Sequence, residues 1–256
     1  MEQFNEDTTL EYFMENKEKF ILPLDETPTD EQILSLLNNA AVYNDFFWNG
    51  EVDGIPFPMA ALKLLQNNPF HIEGPVVNHV ALGHYRLRFM ADELTAQEYE
   101  ILERAMFWSD LGKLATAKPH KSKTWDNGES WTACNGHAEK SVEILDDAMG
   151  KNLFTKGENP PWWYEPVRWL VAEHMNAHKL EEFKERTVVP DFLAPQIQGL
   201  EPWEFPEWDD LEIPHEAGKS FSKRGHYNWI KRNHKLLIIK QKLDEDGRIS
   251  DLSFSL

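Results

Sequence analysis

Histidine and aspartate side chains at four separated points of the chain are the residue types best suited to chemistry. His79, Asp110, His137 and His174 each stand at or beside the end of an expected helix. Imidazole and carboxylate ligands suit Mn, Fe, Co, Ni or Zn better than Ca, and such an ion lowers the pKa of bound water enough to generate hydroxide near neutral pH. The single cysteine, Cys134, excludes a multi-cysteine zinc site, so histidine and carboxylate would hold any metal.

The sequence lacks the signatures of several other enzyme classes. It contains no G-x-x-x-x-G-K-[ST], no G-x-G-x-x-G, no G-x-S-x-G and no H-E-x-x-H. Kinase, Rossmann, α/β-hydrolase and zincin functions therefore have no motif to support them.

Helices must position the four side chains, and capping signals predict where several helices begin. Thr29 and Thr95 each open a segment with the spacing of a capping box, and Pro75 suits the first residue of a helix. Together with apolar periodicity, these signals predict a helix after Thr29 and further helices over about 58–66, 75–90, 96–112, 137–149 and 161–175. Residues 113–136 lack that periodicity and are expected to form a long loop.

The last quarter of the chain has a different composition. Five prolines between 190 and 214, and six acidic residues without Lys or Arg between 201 and 214, predict an extended strap. Segments 235–241 and 249–254 flank an Asp-Gly pair, which predicts two short strands joined by a turn.

Four sequence blocks, in order, resemble the pattern of the HD-domain phosphohydrolases. The blocks are HIEGPVVNH at 71–79, FWSDLGKLAT at 107–116, NGHAE at 135–139 and VRWLVAEHM at 167–175. The variety nearest in pattern is the HD domain appended to bacterial tRNA nucleotidyltransferases. The resemblance spans about 71–180 and leaves both flanks unmatched.

This resemblance implies an all-helical fold that binds one or two divalent metals and hydrolyses phosphomonoesters, cyclic phosphodiesters or nucleotides. It implies that His79, Asp110, His137 and His174 are metal ligands for Mn, Fe, Co, Ni, Zn or Mg. It also places Lys113 near the substrate phosphate, so that Asp110 and Lys113 become the candidate catalytic residues.

Two positions depart from the family pattern. Ser109 stands where the pattern has the histidine directly before the aspartate, and a hydroxyl is a poorer ligand than imidazole for transition metals. The final aspartate of the pattern has no clear counterpart, because Asp191 lies in a proline-rich context. The sequence therefore favours one ion over two.

A bound phosphate needs cations around it, and basic side chains follow Asp110 closely. The predicted substrate contacts are Lys113, Lys118, His120, Lys121 and Lys123 on the expected loop, with His178 one turn beyond His174. The alternative is that the lysines form a solvated surface and that His178 packs at the surface.

The net charge of −18 disfavours nucleic acid as a general partner. A second basic run, 219–242, carries eight Lys and Arg residues and no acids. It either neutralises the acidic strap or binds nucleic acid, and we favour the first interpretation. No apolar run is long enough to span a membrane, and the N-terminal segment lacks the order of a signal peptide, so a cytoplasmic location is expected.

The sequence therefore predicts a mostly α fold: an N-terminal helical extension over 1–70, an HD-like metal-binding helical bundle over 71–190, and an extended strap with a small C-terminal β-hairpin over 191–256. The expected function is metal-dependent hydrolysis of a nucleotide, a cyclic phosphodiester or a terminal phosphate. One alternative is a degenerate HD protein that binds a nucleotide or a partner without turnover. Another is an enzyme that processes RNA ends.

Overall fold

The structure is a computed structural model. It describes residues 50–52, 55–57, 59–153, 160–175 and 221–246, together with positions 15, 29, 31–33, 200, 206, 210 and 248. The predicted strap, Asp191 and His178 lie outside the described residues, apart from the isolated strap positions 200, 206 and 210, and so does most of the predicted N-terminal extension.

The described part of the chain is mostly helical, as predicted, with a small antiparallel hairpin. Its helices are α1 (Met59–Leu62), α2 (Val76–Arg88), α3 (Ala96–Ser109), α4 (Lys113–Thr116), α5 (His137–Leu153), α6 (Tyr164–Glu173) and α7 (Phe221–Asp246), with a short 3-10 turn at Ala91–Glu93. The strands are β1 (Gly50–Val52) paired with β2 (Ile55–Phe57), and β3 (Lys118–Thr124) paired with β4 (Ser130–Ala133), both antiparallel. Within the described residues, no helix is long and apolar enough to cross a membrane.

The capping signals lie at the helix starts that they predict. Thr95 Oγ1 accepts a hydrogen bond from the Glu98 amide, and the Glu98 carboxylate accepts one from the Thr95 amide, which closes a capping box in front of α3. Thr29 and Gln32 exchange the same pair of bonds. Pro75 directly precedes α2 rather than opening it.

Four predicted helices are shorter in the structure, among them those expected over 75–90 and 96–112, which cover Val76–Arg88 and Ala96–Ser109. The helix expected over 58–66 ends at Leu62, because Leu65 pairs with Pro75 in an isolated β-bridge and Gln66 donates its amide hydrogen to the Gly74 carbonyl. The helix expected over 161–175 covers Tyr164–Glu173. The bridge at Leu65 brings Gln66 to Lys113, the first residue of α4, where the candidate site lies.

The expected long loop over 113–136 is wrong. Its first residues form α4, and the remainder forms the β3–β4 hairpin. Most of the β3 side chains are exposed on both faces, so the strand shows no alternation of apolar and polar residues. The turn uses Gly128 at φ 85°, a conformation that glycine adopts without strain.

The first strand of the expected C-terminal hairpin is wrong, since residues 235–241 belong to helix α7, and the expected second strand over 249–254 lies outside the described residues. Leu236, Leu237, Lys240 and Leu243 are all buried, with the spacing of one helix face. The helix packs against α2, α3 and α6. Burial of this face against three helices outweighs the β-propensity of the adjacent isoleucines.

The basic run that continues along α7 forms ion pairs with acids of the helical core. Lys235 Nζ lies 2.8 Å from Glu98 Oε1 on α3, and the fully buried Lys240 pairs with Asp244 at 3.2 Å. These two basic residues therefore have partners outside the acidic strap.

Helix α3 runs through the centre of the core. Every residue from Ile101 to Ser109 is buried, including Phe107 and Trp108, which are 1% exposed. Tightly packed interiors hold such side chains in single rotamers, so the end of α3 is a rigid support for the residue that follows it, Asp110.

His84, on the inner face of α2, predicts a pH dependence of stability. Its Nε2 lies 2.8 Å from the Glu103 carbonyl oxygen, and burial lowers its pKa from about 6.5 to about 4. Because the unfolded chain then binds the proton more readily, the free energy of unfolding should fall by about 3 kcal/mol as the pH drops from 6.5 to 4. Chemical denaturation across this range should show a shallower fall for His84→Gln, whose amide can still donate to Glu103. Parallel curves for the two proteins would contradict the assignment.

Candidate metal centre

Asp110 lies at the centre of a buried cluster of acids and histidines. Its Oδ1 atom is 3.0 Å from Lys113 Nζ and 3.7 Å from His137 Nε2, and its Oδ2 atom is 3.3 Å from His79 Nε2. Burial alone would raise the pKa of this carboxyl, but the positive charges of Lys113 and His79 outweigh burial and hold the pKa well below its usual range. Asp110 is therefore an ionised acceptor that faces three neighbours.

His137 and His174 point their free ring nitrogens at each other. The Nδ1 atoms donate to the carbonyl oxygens of Cys134 and Val171, at 2.8 and 2.7 Å, so each neutral ring carries its lone pair on Nε2. The two Nε2 atoms are 3.0 Å apart. Burial lowers the pKa of both rings, for His174 to about 3. Two lone pairs this close repel each other unless a proton or a cation lies between them.

His79 and Asp244 complete a second group around Asp110. His79 Nε2 lies 3.4 Å from Asp244 Oδ1 in addition to its contact with Asp110. Asp244 comes from the last turn of α7, a segment that the sequence assigned to a turn between strands. Asp244 was not predicted as a site residue from the sequence.

Glu73 and His71 support His79 from the side away from Asp110. Glu73 is fully buried and accepts a 2.7 Å hydrogen bond from His71 Nδ1. Its Oε1 atom also lies 3.2 Å from His79 Nδ1, in an orientation that does not complete a hydrogen bond. Burial would lower the pKa of His79, but Asp244, Glu73 and Asp110 raise it to about 9.

Two lysines balance the buried acids. Lys113 Nζ donates 2.6 and 3.0 Å hydrogen bonds to Gln66 Oε1 and Asp110, and Lys240 Nζ contacts Asp244 from a position with no exposed surface. Burial would raise the pKa of Asp244, but Lys240 and His79 lower it well below its usual value. Gln66 and Lys240 were not predicted as site residues, because neither forms a local motif.

Ser109 does not point at the candidate ligands. Its Oγ donates a 2.6 Å hydrogen bond to the Ala105 carbonyl within α3. The Ser109 carbonyl instead accepts a bond from Ser141 Oγ, which in turn accepts from the Gly112 amide. A Cβ on Gly112 would collide with the His137 carbonyl oxygen and with Ser141. Glycine at 112 thus permits the close approach of α5 that brings His137 to Asp110.

A cavity of about 800 Å³ opens onto this cluster. Asp110, Lys113, His137, His174 and Asp244 line its wall, while His79 lies behind them and is fully buried. Among the other predicted substrate contacts, His120 and Lys123 also line the cavity. Lys118 and Lys121 are exposed and lie outside the lining, so the structure does not bring them together with the other candidate residues.

The donor sets fit a divalent ion. Three groups of described residues have ligand atoms within 4.8 Å of one another: Asp110 with His137 and His174; His79 with Asp110 and Asp244; and His71 with Glu73 and His79. Metal to ligand bonds of about 2.0–2.2 Å place neighbouring ligand atoms about 3.0–3.5 Å apart. Most of the separations around Asp110 lie in or near that range, from 3.0 Å between the two imidazoles to 3.7 Å between His137 and Asp110.

Asp110 belongs to two of the three groups. The described residues therefore offer two neighbouring positions that share one carboxylate, where the sequence favoured a single ion. Both imidazoles of the first group are oriented by backbone carbonyls, an arrangement common around metal ligands.

Comparisons of the chain with models of known protein families, with curated proteins and with solved structures gave no match. The chemistry of the site is therefore inferred from the residues that form it.

Proposed function

We propose that this protein is a metal-dependent phosphohydrolase that acts on a nucleotide, a cyclic phosphodiester or a terminal phosphate. One observation carries the proposal: the Nε2 lone pairs of His137 and His174 converge beside the ionised carboxylate of Asp110 on the wall of an open cavity. The HD-type resemblance of the four sequence blocks agrees with this chemistry.

Asp110, His137 and His174 would hold the ion, and Asp110, His79 and Asp244 offer a second position. An ion bound there supplies Lewis acidity toward a phosphoryl oxygen and lowers the pKa of coordinated water. Lys113 lies beside Asp110 and lines the cavity, so its ammonium group is placed to neutralise charge on a phosphate. Gln66 orients that lysine by accepting its 2.6 Å hydrogen bond.

The charge of the site favours an anionic substrate once an ion is bound. The buried acids Glu73 and Asp110 and the partly buried Asp244 lie with two buried lysines, Lys113 and Lys240. A divalent ion added to this set, with the histidines neutral, leaves net positive charge in a poorly hydrated place. A phosphate group offsets that charge, whereas a neutral ester or amide would not.

A second candidate function is nucleotide binding without turnover. The observation in its favour is Ser109, whose hydroxyl faces Ala105 and leaves the group of His79, Asp110 and Asp244 with one imidazole ligand. An ion held there by fewer protein ligands would bind more weakly, which could leave the pocket able to hold a nucleotide but slow to hydrolyse it.

The proposal is tested by stripping the purified protein with a chelator and restoring Mn, Co, Ni, Zn or Mg singly. Elemental analysis should find bound metal, and at least one ion should restore phosphate release from a panel of nucleoside monophosphates, cyclic nucleotides and simple phosphomonoesters. Tight nucleotide binding with metal present and no product would favour the binding protein. If the protein retains none of the ions tested, both candidate functions are overturned.

A further inference from the structure

The cavity has an aromatic wall beside its acid and histidine cluster. Phe70 and Trp131 both line it, and Phe70 is 45% exposed although it is a large apolar side chain. The two rings meet edge to face, with centroids 6.2 Å apart and an interplanar angle of 89°. Together they form a corner that presents apolar surface to whatever enters the cavity.

This corner is held in place by contacts between the β3–β4 hairpin and Asn67. Trp125 packs against Trp131 with centroids 6.0 Å apart and donates a 2.8 Å hydrogen bond from Nε1 to Asn67 Oδ1. The Thr132 amide donates to the Asn67 carbonyl at 2.7 Å. These bonds tie the β3–β4 hairpin to the segment that carries Phe70, so the two rings are positioned before a ligand binds.

Polar groups from β3 line the same cavity as the two rings. Lys123 Nζ lies 5.7 Å from the centre of the Trp131 ring. His120 Nδ1 accepts hydrogen bonds from the amides of Ser122 and Lys123, so its neutral ring carries the proton on Nε2. His120 and Lys123 therefore bring two hydrogen-bond donors to the same cavity as the aromatic corner.

We propose that Phe70 and Trp131 bind a planar aromatic ring of the substrate, while the phosphate of the same molecule binds at the Asp110 cluster. The substrate class is then a phosphoester that carries an aromatic base, as a nucleoside phosphate does. This inference rests on the proposed function for the position of the phosphate. Pockets of about 300–1,000 Å³ hold ligands of this size, and this one measures about 800 Å³.

The occupant follows from the two kinds of surface that the cavity combines. A small inorganic or aliphatic phosphate would satisfy the cluster and leave the aromatic corner exposed to water. A purely apolar ligand would offer no negative charge to Lys113, to Lys123 or to an ion held at the Asp110 cluster. A base linked to a phosphate covers both, and every base has a π-face that can stack on an aromatic side chain.

The test compares equilibrium binding of adenosine 5′-monophosphate and of inorganic phosphate by titration calorimetry with metal-loaded protein. Trp131→Ala should weaken binding of the nucleotide roughly 10-fold or more and leave binding of phosphate unchanged, because one base stacked on one aromatic side chain contributes about that much. Trp131→Phe should retain most of the affinity. Phe70→Ala removes the more exposed of the two rings and takes the place of Trp131→Ala in this test if that variant fails to fold.

Trp162→Ala is the matched control, because Trp162 is 50% exposed and lies outside the cavity lining. The inference is overturned if wild-type protein binds the nucleotide no better than phosphate, or if the ring variants weaken both ligands equally. Failure of the proposed function looks different: the nucleotide binds in a ring-dependent way, yet no ion restores phosphate release. Equal turnover of adenosine 5′-monophosphate and glycerol phosphate, unaffected by Trp131→Ala, would leave the hydrolase intact and reject the aromatic wall.

Discussion

Asp110→Asn is expected to abolish metal-dependent phosphate release. Asp110 is the one residue shared by both ligand groups that surround it, and an amide brings no negative charge to either. Loss of Lewis-acid stabilisation is worth several kcal/mol, which corresponds to a fall in kcat/KM of about 10³-fold or more. Metal content should fall with activity, since Asp110 is the carboxylate of the ligand group that includes His137 and His174.

The control for Asp110→Asn is the same substitution at Asp146. That carboxylate accepts two hydrogen bonds from Arg168, at 2.7 and 2.9 Å, and lies outside the cavity lining. Asp146→Asn should leave metal content and kcat/KM near the wild-type values. An Asp110→Asn protein that keeps full metal content and turnover would show that the cluster is an internal ion-pair network and no more.

Asp244→Asn has the second largest expected effect and separates the two ligand groups. It should lower kcat/KM by about 10²-fold. The group of His79, Asp110 and Asp244 loses one carboxylate ligand, and a loss of roughly 3 kcal/mol in transition-state stabilisation corresponds to that fall. The group of Asp110, His137 and His174 should still bind an ion. Elemental analysis should then find less metal per chain than in the wild type, but more than in Asp110→Asn.

A stability effect accompanies this substitution and must be measured apart from catalysis. Lys240 has no exposed surface and pairs with Asp244 at 3.2 Å. Removal of the carboxylate leaves the buried ammonium charge of Lys240 without this partner, which should lower the free energy of unfolding by about 3–5 kcal/mol. Adding Lys240→Met to Asp244→Asn removes that ammonium charge and should recover stability without recovering turnover. Recovery of both would mean that Asp244 serves only as the partner of Lys240.

Local signals in the sequence predicted the helices that position most of the site. Capping boxes depend on residues three apart, so Thr95 and Glu98 could be recognised without knowing the fold. The four blocks of the HD-type pattern led to His79, Asp110, His137 and His174, and the structure brings all four together within hydrogen-bonding or near hydrogen-bonding distances.

Asp244 could not be predicted in the same way, because its role depends on where α7 crosses the core. The run Leu236 to Ile239 has strong β-propensity and precedes an Asp-Gly pair, which together favour a strand and a turn. The buried face that makes this segment helical exists only when α2, α3 and α6 are already in place. The spacing of Leu236, Lys240 and Leu243 was the available signal, although a lysine within an apolar face obscures it.

The β3–β4 hairpin was missed for a related reason. Its strand Lys118–Thr124 faces solvent on most positions, so burial imposes no alternation on the sequence. Asn127-Gly128 was the one local turn signal, and Gly128 does adopt a positive φ there. The attachment of Trp125 and Thr132 to Asn67 is a tertiary contact, and the aromatic corner that it supports is visible only in the folded chain.

The carboxylate of Asp110 and the Nε2 atoms of His137 and His174 should together bind a divalent ion. Anomalous diffraction from crystals grown with Mn²⁺ can locate such an ion. An anomalous peak is expected within about 2.0–2.3 Å of all three ligand atoms. A map without a peak there, with the two Nε2 atoms still 3.0 Å apart and sharing a proton, would contradict it.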